Sequence, residues 1–492
     1  MAERIASVFA NGAEQVLRDA RRAAMDGADL LELRLDRWPT DGDLSGTLAR
    51  IALPVLATCR LPRDGGFFAG SLDERRALLR RALEAGAHGL DLEEWEEWDP
   101  PDDPRLELHV RSCHVLDGLP QDLPALQRRL FARGADLVKI VGTVRDLADA
   151  APLVDFLGAV DQENEPTVAF ALGRSAWPTR VLAALQGAPF VYASVPGAEP
   201  TAPGQAPLDL LAGLYDVRDL GRTTLIYGLL GNPALHSVGP WLHNRAFRQL
   251  GLDAVYLPFE TARPEAVVAM LPRRRLRGLS VTMPHKAAMA RLCHRLDDSA
   301  EETEVVNTVV FQAHGQIVGH NSDVAGVLGA LQGAGVAVAE PGARAAVLGA
   351  GGAARAAVVA LQRLGFAVAV FARRPETLAG FARLRGVTTA PLAAQPLREF
   401  APGAVVHATP LGGPGHEGER ILPEWTPAAG TLVLDMVYRP RWTPLLRAAQ
   451  AAGARPIPGM AMFLAQAAEQ LRWFTGESLP VAQLGRFLTG VA

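Results

Sequence analysis

The sequence predicts an α/β protein: an N-terminal (β/α)8 barrel, followed by a two-lobed α/β region with a Rossmann-like lobe. Three observations carry this. Eight apolar, β-branched runs recur through the first 220 residues, with amphipathic stretches between most of them. A Pro/Gly-rich patch, PGAEPTAPGQAP (196–207), breaks the rhythm before it resumes. Later a glycine-rich loop, GAGGAARA (349–356), stands between a strand-like and a helix-like run.

In order, the first eight strand candidates are IASVFA (5–10), LLELRLD (30–36), PVLATCR (54–60), HGLDLE (88–93), LELHVRSC (106–113), DLVKIVG (136–142), TVAFAL (167–172) and FVYASV (190–195). SLDERRALLRRALEAG (71–86) typifies the stretches between them, with leucines at helical spacing and a closing Gly. A short helix and DVRDLGRTT (216–224) end the barrel, which is assigned to 1–220. From TLIYGLLG onward the alternation predicts one lobe at 222–325 and a nucleotide lobe at 326–455. The nucleotide lobe is built on the βαβ unit AAVLGAGGAARAAVVALQRLGFAVAVFARR (345–374). The final segment, 456–492, contains the helical stretch GMAMFLAQAAEQLRWF (459–474) and is expected to return to the first lobe.

Composition excludes several classes. Of 492 residues, 49 are Lys or Arg and 53 Asp or Glu, a net charge of −4, which gives no overall pull toward nucleic acid or anionic lipid. RRRLR (273–277) has no interleaved aromatics and reads as a solvated face. Cys59, Cys113 and Cys293 form no CxxC pair, so a disulfide scaffold and a Cys-rich zinc site are excluded and a reducing compartment fits. His236, His243, His294 and His320 lack metal-ligand spacing, and DLEEWEEWD (91–99) reads as a barrel loop, so no metal is expected. With no signal segment and no long apolar run, the expectation is a cytoplasmic protein acting on small molecules, without nucleic-acid or membrane partners.

In a (β/α)8 barrel, functional side chains sit at the C-terminal ends of strands, and Arg34, Arg60, Glu93, His114 and Lys139 fall there. Lys139 in DLVKIV is flanked by Leu, Val and Ile; desolvation at such a place favours the neutral amine that forms a Schiff base. His114 suits acid–base work near neutral pH, and Arg34, Arg60 and Arg180 suit a carboxylated, polyhydroxylated substrate. The alternative is a snorkelling lysine and a surface imidazole.

This half resembles the type I 3-dehydroquinate dehydratases along most of its length. The resemblance is carried by ELRLD (32–36), TCR followed by GG (58–66), DLE (91–93), SCH (112–114), VKI (138–140), LGRSAWPTR (172–180) and TAPGQ (201–205). It implies that Lys139 forms an imine with the substrate ketone, while His114 removes the α-proton and protonates the departing hydroxyl. It also implies substrate contacts from Glu32, Arg34, Arg60, Asp64, Arg180, Thr201 and Gln205, with Arg180 on the carboxylate. Asp64 stands where the family usually has Glu, Thr201 where it has Ser, and Val115 where an Asp commonly follows the histidine. Val115 removes an orienting partner of His114, for which Glu93 is the expected substitute.

In the second half, Gly349 allows a tight turn, and Gly351 and Gly352 let the backbone approach a pyrophosphate at a helix start. The next strand ends at Arg373 and Arg374 with no acidic residue, which favours a 2′-phosphate and hence NADP. Residues 223–492 resemble the shikimate dehydrogenases. The matching segments are GLLGNPALHSVGPWLHN (228–244), GLSVTMPHK (278–286), EVVNTVV (304–310), GHNSD (319–323), DMVYRPRWTPLL (435–446) and GMAMFLAQ (459–466). The resemblance implies a catalytic pair, Lys286 and Asp323, and substrate contacts from Ser237, Thr282, Asn307, Asp323, Tyr438 and Gln466. The expected cofactor contacts are Gly349, Gly351, Gly352, Ala353, Arg373, Arg374 and Thr409. Gly239 replaces a usual Ser, Ala372 a usual Asn and His407 a usual Asn; the room at Gly239 predicts oxidation of quinate alongside shikimate.

Together the two resemblances imply a fused bifunctional enzyme of the shikimate pathway. One half dehydrates 3-dehydroquinate to 3-dehydroshikimate, and the other reduces that product to shikimate with NADPH. Two alternatives stay open: a reductase half that acts on quinate, and a metabolite-sensing regulator derived from such enzymes. Retention of Lys139, His114, Lys286 and Asp323 argues against the regulator.

Overall fold

The computed structural model describes residues 2–491 apart from 101–102, 313, 382–383 and 385. Its contacts divide the chain into two units: Met1–His236 with Gly251–Leu276, and Ser237–Leu250 with Arg277–Ala492.

In the first unit, β1 (Glu3–Phe9), β2 (Leu30–Arg34), β3 (Val55–Thr58), β4 (Gly89–Glu93), β5 (Leu108–His114), β6 (Leu137–Thr143), β7 (Thr167–Leu172) and β8 (Phe190–Ser194) form a nearly closed parallel barrel. The order is β7-β6-β5-β4-β3-β2-β1-β8. Every strand candidate of the first half is therefore present, shifted by a few residues at its ends. Side chains alternate across each strand. In β2, Leu33 packs outward with Val16 and Leu79, while Glu32 and Arg34 line the barrel cavity. The helix Leu72–Glu84 starts where Ser71 and Glu74 cap each other's backbone N–H, and Gly86 at φ +100° follows its end.

The same unit holds β9 (Leu225–Gly231) and β10 (Ala254–Glu260), paired in parallel. Residues 251–276 are tied to the barrel by Thr261 and Arg263, which bond Asp146 and Asp149. Arg275 donates to the carbonyls of Leu185 (2.8 Å) and Gly221 (3.0 Å) and to Gln186 (2.9 Å). This corrects the reading of RRRLR: Arg273 and Arg274 are exposed, but Arg275 is buried and anchors the segment that leaves the barrel.

In the second unit, β13 (Thr308–Phe311) pairs antiparallel with both β11 (Leu276–Val281) and β14 (Ile317–His320), and β12 (Arg295–Leu296) lies parallel to β14. A separate parallel sheet contains β15 (Arg344–Leu348), β16 (Ala367–Ala372), β17 (Val387–Pro391), β18 (Ala404–His407), β19 (Leu432–Asp435) and β20 (Arg455–Ile457). Its order, β17-β16-β15-β18-β19-β20, reverses at β15, which creates the crevice where such sheets bind ligands. The helix Gly459–Thr475 lies close on Ser322–Gly333: a Cβ on Gly329 would come within 2.6 Å of Ala465. The same helix reaches β11 through Phe474, which fills the space a side chain on Gly278 would need. Among the described residues no helix is long and apolar enough to cross a membrane.

Candidate active sites

At the C-terminal ends of the barrel strands a cavity is lined by Glu32, Arg34, Arg60, Asp64, His114, Lys139, Arg180, Tyr192, Thr201 and Gln205. All the barrel residues singled out from sequence as catalytic or substrate-contacting therefore meet in one place. Lys139, 3% exposed, donates to Glu32 Oε1 (3.0 Å) and Asp91 Oδ2 (3.1 Å). Arg60 donates to Asp91 (3.1 Å) and Glu93 (3.3 Å), and Arg34 grips Asp36 with two bonds of 2.9 and 3.0 Å. Burial alone would raise the carboxyls of Glu32 and Asp91, but Lys139 and Arg60 outweigh it and hold both below the usual carboxylate range. The lysine is thus held by two carboxylates, a different environment from the purely apolar one its sequence neighbours suggest. Those neighbours point outward, away from the side-chain ammonium.

Two of the cavity residues singled out from sequence carry unsatisfied polar atoms. Nδ1 of His114 is buried and has no hydrogen-bond partner. Burial, then the Arg60 and Lys139 cations, push its pKa well below the ordinary 6.5, so the imidazole is neutral at neutral pH. Glu93 does not orient it, contrary to expectation, because its carboxylate is taken by Arg60 and Arg75. Arg180 is 1% exposed, its Nε has no partner, and its NH1 reaches only the Gly204 carbonyl, at 3.5 Å. Burial without a facing carboxylate pushes its pKa down to about 9, which leaves a cation at neutral pH. A buried guanidinium without a counter-charge is a receptor for an anion. At the rim, Gln205 accepts from Thr201 (3.2 and 3.3 Å), and Trp95 donates to Asp64 (3.0 Å). Burial raises the Asp64 carboxyl.

In the second unit, Lys286 Nζ lies 2.9 Å from Asp323 Oδ2, both half-buried. Asn321 caps the helix that carries Asp323 by accepting from its backbone N–H (3.0 Å). Asn307 Oδ1 accepts from Ser322 N (2.8 Å) and Thr308 Oγ1 (2.9 Å), which leaves its amide nitrogen as the donating end. Ser322 also donates to Gln466 (3.0 Å). The Tyr438 hydroxyl is hydrogen-bonded to Ser237 and to the Val238 backbone, and Gly239 N donates to Ser237 Oγ (3.1 Å). Thr282 lies half-buried between β11 and the helix that begins at Lys286.

The loop after β15 fits a dinucleotide. Gly349 sits at φ +121° with the space for a Cβ filled by the Ala408 carbonyl at 2.8 Å, so only glycine serves there. Gly351 faces open space and caps the helix Gly352–Arg363 with no side chain, leaving its first N–H groups available, with Ala353 in the first turn. A Cβ on Gly352 would lie 3.8 Å from Lys286 Cδ, so this helix start and Lys286 are neighbours. Arg373 and Arg374 follow β16 and are exposed. His407 Nδ1 bonds Asp435 (2.9 Å) and its Nε2 bonds Thr409. The Thr409 hydroxyl oxygen also accepts from Leu411 N (3.4 Å).

Comparison with known proteins assigns a family to each half of the chain. The family model for type I 3-dehydroquinase matches residues 5–222, and that for the shikimate dehydrogenase substrate binding domain matches 229–309. The chloroplastic bifunctional 3-dehydroquinate dehydratase/shikimate dehydrogenase of Arabidopsis thaliana is 30% identical over 501 residues, covering 96% of this chain and 82% of that protein. The chain belongs to this bifunctional family. Its second half is also 41% identical over 283 residues to the shikimate dehydrogenase (NADP(+)) of Rubrobacter xylanophilus, covering 55% of this chain and 97% of that protein. The crystal structure of shikimate dehydrogenase from Aquifex aeolicus superposes with a TM-score of 0.50 at 29% identity, covering 54% of this chain and 98% of that one. The protein is a type I dehydroquinate dehydratase joined to an NADP-dependent shikimate dehydrogenase, two activities of the shikimate pathway.

Sequence reading missed several dehydratase-half residues. Asp91 was passed over for Glu93, although the two share a strand face at i and i+2. Asp36, which holds Arg34, stands only as the unassigned end of ELRLD, while Ser7, which holds Glu32, and Tyr192, whose ring centroid lies 3.9 Å from Lys139 Nζ, carry no motif signal. In the dehydrogenase half Asp435 was quoted only within a motif, and its service to His407 is visible only in three dimensions.

Proposed function

We propose that the barrel cavity carries out the dehydration through Lys139 and His114. The supporting observation is that a buried lysine, a neutral unpartnered histidine and an unpaired buried guanidinium line one cavity. Arg180 takes the substrate carboxylate, and Glu32, Arg34, Arg60, Asp64, Thr201 and Gln205 hold its hydroxyls. The Lys139 amine displaces the ketone oxygen as water and forms an imine. Its protonated form withdraws electrons from the adjacent carbon, so that C–H becomes acidic. His114 takes that proton and returns it to the departing hydroxyl, so water leaves as the carbon–carbon double bond forms. Hydrolysis then frees 3-dehydroshikimate and restores the amine.

In the second unit Lys286 gives the proton that the developing alkoxide needs, and Asp323 orients the Lys286 side chain and accepts from a substrate hydroxyl. Ser237, Thr282, Asn307, Tyr438 and Gln466 orient the ring. NADPH supplies the hydride when bound. The N–H groups at Gly351, Gly352 and Ala353, above the turn at Gly349, suit its pyrophosphate, Arg373 and Arg374 suit its 2′-phosphate, and the Thr409 hydroxyl suits one of its polar groups. This assignment divides the chain as read from sequence: barrel 1–220, substrate lobe 222–325, nucleotide lobe 326–455 and closing helices 456–492. The unpaired Cys59, Cys113 and Cys293 support a reducing compartment, the cytoplasm, and the small net negative charge supports small-molecule partners over nucleic acid.

A steady-state assay of the purified chain tests the whole reading. Dehydroquinate alone should give dehydroshikimate, and dehydroquinate with NADPH should give shikimate with one NADPH oxidised per turnover. A folded chain that lacks either half-reaction overturns the assignment for that half.

A further inference from the structure

We propose that Tyr192 is a further substrate-contacting residue of the dehydratase half, its ring face holding the cationic nitrogen of Lys139 and its hydroxyl donating to the bound substrate. The proposal rests on the reading of Lys139 as the imine-forming residue.

Tyr192 lies on β8, 2% exposed, and lines the cavity. Its hydroxyl is buried without a hydrogen-bond partner. Unpartnered buried hydroxyls are disfavoured, and at this position, beside Phe170, a phenylalanine would pack without that penalty. Two other unpartnered atoms, His114 Nδ1 and Arg180 Nε, belong to residues lining the same cavity. Three orphans around one cavity are explained together if its occupant satisfies them.

The placement says what that occupant offers. Arg180 lies over the Phe170 ring (4.4 Å), Phe170 packs against Tyr192 (5.9 Å between centroids), and Tyr192 underlies Lys139 Nζ (3.9 Å). The aromatic pair therefore spans the wall from the anion receptor to the amine. A substrate that engages both passes over Tyr192, and the group presented there is an oxygen of a hydroxylated ring. Burial, then the Glu32 and Asp91 carboxylates, push the phenol well above its ordinary pKa, so it keeps its proton and acts as a donor. The ring face has a separate effect: it attracts a cation at the lysine nitrogen, which suits the iminium formed during reaction.

Tyr192→Phe separates the two roles, because it keeps the ring and removes the hydroxyl. The expected result is a fall of about tenfold in dehydratase kcat/KM, with the thermal midpoint of the free protein unchanged or raised. Shikimate oxidation with NADP+ by the same preparation, read as NADPH formed, should be unaffected, which reports on folding. Tyr192→Leu should lose more, with slower borohydride trapping of substrate on Lys139. Wild-type kcat/KM in Tyr192→Phe overturns the proposal, as does a loss matched by falling thermal midpoint and falling dehydrogenase activity. If wild-type protein turns over dehydroquinate without any trapped adduct, the Lys139 reading fails and this inference fails with it. Normal trapping with an unaffected Tyr192→Phe overturns only the inference.

Discussion

Lys286 and Asp323 meet at 2.9 Å from the first turns of two different helices, Lys286–Leu292 and Ser322–Gly333. Two side chains from separate elements are held together by their backbones, and a half-exposed ion pair adds little stability of its own. Its value is chemical. Lys286→Ala should lower dehydrogenase kcat by about 10²–10³. Asp323→Asn should lower it by a smaller factor, with unchanged folding by circular dichroism. Dehydratase turnover in the same samples should stay at the wild-type level.

Borohydride added during dehydroquinate turnover should leave a covalent adduct on Lys139, read by peptide mass spectrometry. Lys139→Met should give no adduct and no dehydratase activity. It also leaves Glu32 and Asp91 buried beside each other without the ammonium they share, which should cost about 3–5 kcal/mol in chemical denaturation.

The His114 environment sets a pH dependence. Burial, Arg60 and Lys139 hold its folded pKa well below 6.5, the value it has when unfolded. The base is therefore present at pH 6.5, where a solvated imidazole would be half protonated. Dehydratase kcat/KM should be flat from pH 8 through 6.5 and decline only in more acid solution. The stability linkage has the same origin: below 6.5 the unfolded chain binds a proton that the folded chain refuses. The His114 contribution is constant above that pH and turns destabilising as the pH falls toward the folded value. His114→Gln should reduce the slope of stability against pH across that window, measured by urea unfolding.

Arg373 and Arg374 are exposed directly after β16, and the strand itself ends without an acidic residue to take a ribose hydroxyl. Replacing both with Ala should raise KM for NADPH by at least tenfold and leave KM for NADH nearly unchanged. Equal losses for the two cofactors would show that these arginines do not read the 2′-phosphate.

Much of this protein was legible in its sequence. Parallel strands covered on both faces appear as short apolar runs whatever their neighbours are, so all eight barrel strands could be read from IASVFA to FVYASV. Gly349 could be read because a positive φ packed against a carbonyl leaves a single residue type. Lys139, His114, Lys286 and Asp323 could be read because each sits in a short segment of distinctive residues.

What the tertiary structure decided was partnership. Glu93 follows the same strand as Asp91, and local order does not say which carboxylate faces Lys139 and which faces Arg75; closure of the barrel does. RRRLR looks uniformly solvated until Arg275 is found under the Leu185 and Gly221 carbonyls. Tyr192 and Lys139 are 53 residues apart, and nothing in either segment foretells a ring beneath an ammonium. Local sequence determines which elements form, through periodicity and backbone preference. Distances between side chains on different elements depend on register and closure, which only the assembled chain possesses.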